Sequence, residues 1–94
     1  TVVCLDLNGF ADGNQGVQDE RYKDPTDADV IWEFDMMAKA GVFPHNMSAG
    51  CPLIVGDYLY TVTGNGVDEG HINIPAPDAP SFICLNKKTG ELVW

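Results

Sequence analysis

The strongest constraint on this chain is that it repeats itself. Val3-Cys4-Leu5-Asp6 near one end is answered by Ile83-Cys84-Leu85-Asn86 near the other. Each copy is followed by a second β-prone run that closes on tryptophan, Val30-Ile31-Trp32 in the first and Leu92-Val93-Trp94 in the second. A chain built from copies of one small unit folds by stacking units that cannot bury their apolar face alone. Both copies read as β-hairpins: a short apolar run, a polar turn, and a second run with a large aromatic at its far end. The second copy turns tightly through Lys87-Lys88-Thr89-Gly90, where glycine supplies the positive φ of a short turn. The first carries a polar insertion, at about 10–29, between its strands.

A third hairpin is predicted between them. Pro52-Leu53-Ile54-Val55 and Tyr58-Leu59-Tyr60-Thr61-Val62-Thr63 flank a Gly56-Asp57 pair, the two-residue connection that favours a tight β-turn. Because Leu53, Ile54 and Val55 do not alternate with polar residues, the first of these strands is expected to be buried on both faces, as an inner strand of a layered sheet. Met36-Met37-Ala38-Lys39-Ala40 contains good helix formers and meets Gly41, which predicts one or two helical turns, and Pro44 forbids a longer helix. Residues 64–80 are rich in proline and glycine and read as a long exposed loop, the kind of connection that often carries function. The fold class is therefore all-β, with one short helical turn near 36–40.

Composition removes several functions. The 94 residues hold 14 acidic and 5 basic side chains, for a formal charge of −9, so a nucleic acid backbone is repelled. No apolar run is long enough to span a bilayer, and residues 1–20 lack the basic start and apolar middle of a signal peptide, so any such segment is expected outside this sequence. Cys4, Cys51 and Cys84 form no C-x-x-C pair, and an odd number cannot pair completely. They read as small buried apolar side chains, with one disulfide left open.

The pattern Cys84-Leu85-Asn86, Thr89-Gly90 and Trp94, preceded by Pro52 to Tyr60, resembles the quinoprotein-like (PQQ-binding-like) β-propeller repeat. The likeness extends to large bacterial repeat proteins related to the outer-membrane barrel-assembly lipoprotein, where runs such as Asp27–Trp32, Val42–Asn46 and Asn65–His71 look like blade decoration. It departs at Asn86, where Asp is usual, and in the first copy, whose insertion replaces the Thr-Gly turn. The resemblance implies an antiparallel four-stranded propeller blade over 51–94, the outer hairpin of the preceding blade over 1–35, and an inter-blade connection over 36–50. It also implies a periplasmic, cell-envelope or secreted setting, and Trp32 and Trp94 as structural anchors packed between blades. Propellers close with four to eight blades, so this sequence is expected to be a fragment of a longer chain, or else to self-assemble.

Four places could carry chemistry. Asp12, Asn14, Asp19 and Glu20 offer oxygen ligands suited to Ca²⁺, but their spacing is not that of an EF-hand, and a solvated acidic loop is the preferred reading. His45 and Asn46, after Pro44, are loop-binding candidates, as are Asp68, Glu69 and His71 in the long loop, a weak metal constellation whose alternative reading is exposed loop polarity. The fourth, a PQQ cofactor, is disfavoured, because the sequence lacks the adjacent cysteines and the calcium ligands with a nearby base of the PQQ-dependent dehydrogenases that share the resemblance. The expected function is a non-catalytic scaffold that binds a protein or another macromolecule through its loops. The alternatives are a part of a PQQ-dependent oxidoreductase and a Ca-bound structural module.

Overall fold

A computed structural model describes residues 1–46 and 50–94. The chain is mostly β, with two antiparallel sheets and one short helix, and it divides into two units, Thr1–Phe34 and Asp35–Trp94.

In the first unit β1 (Val2–Asp6) pairs antiparallel with β2 (Asp29–Phe34), placing Val2 opposite Phe34, Cys4 opposite Trp32 and Asp6 opposite Asp29, with an irregularity in register between Cys4 and Leu5. The side chain of Asp6 ends β1. Its Oδ1 accepts from the Asn8 amide at 2.7 Å while its carbonyl accepts from the Gly9 amide, an Asx turn that diverts the chain out of the ladder. Residues 7–28 contain no strand or helix and return to β2 at defined points. Val17 N–H donates to the Val30 carbonyl at 3.0 Å, Gln15 N–H to Asp29 Oδ2 at 3.0 Å, and Val30 N–H to Glu20 Oε1 at 2.8 Å. Gly16 has a positive φ, and a Cβ there would overlap the Ile31 backbone, so only glycine permits this approach.

The second unit opens with α1 (Met36–Ala40). Asp35 caps it through its carboxylate, which accepts from the Met37 and Ala38 amides, and Gly41 closes it in the left-handed conformation. A three-stranded antiparallel sheet follows, in the order β3 (Leu53–Val55), β4 (Tyr58–Val62), β5 (Phe82–Asn86). Gly56, with φ 59°, and Asp57 form the two-residue turn between β3 and β4. Residues 91–94 then run back along the outer edge of β5. Cys84 and Trp94 exchange backbone hydrogen bonds, and Asn86 N–H donates to the Glu91 carbonyl. The Asn86 Oδ1 accepts from the Lys88 amide at 2.9 Å, which reproduces the Asx turn of Asp6.

Alternation within the sheet divides its two faces. Leu59, Thr61, Ile83 and Leu85 share one face and are buried, whereas Leu53, Val55, Tyr58, Val62 and Phe82 share the other and are exposed. Trp94 joins the exposed side, with its ring centroid 6.1 Å from those of both Tyr60 and Phe82. Strand β3 departs from expectation: Leu53, Ile54 and Val55 are 56–62% exposed, because β3 forms the edge of the sheet and pairs only with β4. Its uninterrupted apolar run is not buried within these residues. The cysteines differ as well: Cys84 is buried, Cys4 is half-buried, Cys51 is exposed, and all three are free thiols.

Candidate functional site

Two loops of the second unit meet, one of them the β4–β5 connection itself. One is the segment after α1, Val42 to Asn46, and the other is the excursion at 64–80. They are joined as a short antiparallel bridge at Pro44 and Asn65: His45 N–H donates to the Gly64 carbonyl at 2.9 Å and Gly66 N–H to the Phe43 carbonyl at 3.0 Å. Asn65 is the hub. Its Oδ1 accepts from the Phe43 amide at 2.8 Å, and its Nδ2 donates to the Ala76 carbonyl at 2.9 Å and to that of Ala79 at 3.3 Å. The buried Thr63 closes the base, donating from Oγ1 to the Pro80 carbonyl at 2.7 Å while accepting from the Asn65 amide. A proline-rich loop that leaves Ile72 and Ile74 exposed is thus tied down through polar side chains bonded to backbone groups of its own and of the neighbouring segment.

This frame brings His45 and His71 into contact, with ring centroids 4.6 Å apart and the planes nearly perpendicular at 77°. His45 Nδ1 lies 3.0 Å from the Val67 carbonyl. A carbonyl can only accept, so Nδ1 carries the proton and the neutral ring keeps its lone pair on Nε2. Gly66 makes room, since a Cβ there would lie 2.9 Å from the His45 Cβ. His71 and Asn46 both hold positive φ angles of 57°, a conformation uncommon for residues other than glycine. Asp68 supports the turn that carries His71. Its Oδ1 accepts from the Ile72 amide at 3.0 Å, its Oδ2 from Asn73 Nδ2 at 2.7 Å, and its carbonyl from the His71 amide. Those hydrogen bonds, led by the one from Ile72, hold the Asp68 carboxyl below the ordinary range.

Of the loop residues singled out by sequence, then, His45 and His71 come together, Asp68 is spent on the loop's own architecture, and Asn46 and Glu69 are exposed. No family model, curated protein or solved structure matches this chain. The site is therefore read from its own geometry.

The oxygen-rich insertion behaves differently. Asp12 accepts from Asn8 Nδ2, Asn14 from Gln18 Nε2, and Glu20 from the Val30 amide, so three of the four residues have separate local partners. No group of three or more His, Cys, Asp or Glu side chains placed to hold a metal ion occurs among the described residues. An open hollow of about 450 Å³ lies within the first unit, lined by Asp19, Glu20, Arg21, Tyr22, Asp27 and Glu33 among others, with the Arg21 guanidinium 5.2 Å from the Tyr22 ring centre. Sequence reasoning missed this hollow, and it missed the roles of Asn65 and Gly66. The Asn65-Gly66 pair is a turn signal, but nothing in the sequence says that the amide ties three separate backbone segments. No helix among the described residues is long and apolar enough to cross a membrane.

Proposed function

We propose that this chain is a β-propeller scaffold of the cell envelope, contributing one four-stranded blade and the outer hairpin of another, and that it binds a macromolecular partner through its loops. The observation that carries this reading is the equivalence of the two hairpins. Cys4 stands opposite Trp32, Cys84 exchanges backbone hydrogen bonds with Trp94, and an Asx turn ends the first strand of each. A repeated structural unit of this kind is what a stacked architecture is made from. The exposed side of the β3–β5 sheet adds support, since Leu53, Val55, Phe82 and Trp94 are large apolar side chains of the type that pack between neighbouring blades. The two loops ordered by Asn65 then form a rigid presenting surface at one end of the sheet.

Hydrogen exchange on the intact protein tests the architecture. In a closed ring neighbouring blades cover both faces of the sheet, so those amides of Leu53, Ile54 and Val55 that pair with β4 are expected to exchange slowly, as part of the global unfolding unit. Rapid exchange there, at rates typical of a free edge, removes the propeller reading. Adding PQQ with Ca²⁺ separates scaffold from enzyme: a scaffold retains no chromophore and oxidises no alcohol in a dye-linked assay. A bound quinone with turnover would replace this function with an oxidoreductase.

A further inference from the structure

We propose that His45 and His71 form a two-nitrogen site for a borderline transition-metal ion of the zinc or copper class. The inference does not depend on the propeller reading, because it rests only on the two loops of the second unit. The chain contains two histidines, and the fold brings both to one place from loops far apart in sequence. Imidazole is the side chain best suited to such ions. His45 is prepared for ligation in the way metal-binding histidines generally are: one ring nitrogen faces a backbone carbonyl, here that of Val67, which orients the ring and makes Nε2 the nitrogen open to a metal.

The ring nitrogens of His71 make no hydrogen bond to other described residues, and the residue is exposed. In a tetrahedral site two nitrogens at about 2.0–2.1 Å from the metal stand roughly 3.3 Å apart. Rings with centroids 4.6 Å apart reach that separation once His71 rotates. The backbone beneath is held in advance. Asp68 fastens the turn that carries His71 in its positive-φ conformation, and Gly66 leaves the space that lets His45 sit against the long loop. No third His, Cys, Asp or Glu completes an all-protein set among the described residues. The remaining positions belong to water or to a partner's side chain, so the site is open, unlike closed structural ones and with one protein ligand fewer than a catalytic zinc site.

Zinc titration of the intact protein, followed through the ring resonances of both histidines by NMR, is the test. Both rings are expected to shift together and saturate at one equivalent. His45→Asn keeps an N–H for the Val67 carbonyl and removes Nε2, and His71→Asn tolerates the positive φ while removing the imidazole. Each is expected to weaken zinc binding by at least about tenfold, and Gly66→Ala, which displaces His45, by about 10–100-fold. Rings that do not move, movement of one ring alone, or a double asparagine variant that takes up zinc as the parent does would each overturn the proposal. The NMR titration needs no variant, so a variant that fails to fold leaves the proposal testable.

Discussion

The two tryptophan-closed hairpins have the same pairing and opposite surroundings. In both, a cysteine lies across the ladder from the indole and an Asp or Asn side chain turns the chain out of the first strand. Yet Trp32 is 7% exposed and Trp94 is 57% exposed. One hairpin closes through residues 87–90 and the other through the whole excursion at 7–28. The comparison separates what specifies the unit from what stabilises it. Register depends on a few residues at the strand ends, and connection length matters little, since closing a longer loop costs only about 0.6 kcal/mol per doubling. Burial of the indole depends on whatever covers the hairpin, which its own sequence does not determine.

The largest expected effect comes from removing each indole in turn. Trp32→Ala should lower unfolding free energy by about 3–5 kcal/mol, the range for deleting a buried large aromatic. Trp94→Ala, made in this 94-residue chain, should cost less than half as much, because most of that ring is already in water. Denaturant unfolding followed by circular dichroism measures both. Equal losses would mean that the two hairpins differ in exposure without differing in energetic role.

Legibility follows the same division. The hairpin at Gly56-Asp57, the helical turn at 36–40 with its glycine stop, and the pairing of the Val3–Asp6 run with the Val30–Trp32 run were readable, because each depends on local chemistry or on a repeated motif. The exposure of β3 was not. A run of Leu53, Ile54 and Val55 reports that the strand suits a buried place, and pattern alone does not say which residues would bury it. The meeting of His45 with His71 was also out of reach, since it depends on the bond that Asn65 accepts and the two that it donates, which sequence spacing does not encode. For the oxygen-rich insertion proximity in sequence was the only measure available, and it did not show that Asp12, Asn14 and Glu20 accept from three separate groups, the Asn8 and Gln18 side chains and the Val30 amide.

The next effect, in order of size, concerns how the excursion of the first hairpin is held. Gly16 is needed twice, for its positive φ and for its contact with the Ile31 backbone. Gly16→Ala should therefore cost about 2–3 kcal/mol, combining the strain of a disfavoured conformation with the displacement of a β2 neighbour. Gly56 in the two-residue turn has φ 59° and open space where a Cβ would stand, so Gly56→Ala should cost about 1 kcal/mol, the strain alone. Thermal unfolding of the two variants side by side measures the difference. If Gly16→Ala is the milder of the pair, the excursion is not anchored at that point and the first hairpin is held by its ladder alone.

The smallest effects should have opposite signs, and the sign is the informative quantity. Asp29 is fully buried, and one of its oxygens accepts from the Gln15 amide while Oδ1 has no partner among the described residues. Asp29→Asn keeps an acceptor for Gln15 and removes a buried charge, so stability should hold or rise by about 1 kcal/mol. Asp68 uses both oxygens as acceptors, and the same replacement forfeits the charge-assisted bonds to Ile72 and Asn73. The loop that carries His71 should loosen, seen as faster exchange of the Ile72 amide. The pH dependence follows from the lowered Asp68 value: its stabilisation is complete above the ordinary carboxyl value of 3.8 and is lost as pH falls through the lower folded one. In the parent the Ile72 amide shift should titrate with a midpoint below 3.8, and in Asp68→Asn that transition should be absent. A midpoint at or above the ordinary value would mean that the carboxylate does not hold the turn, and the second loop would then be ordered by Asn65 and Thr63 without help from Asp68.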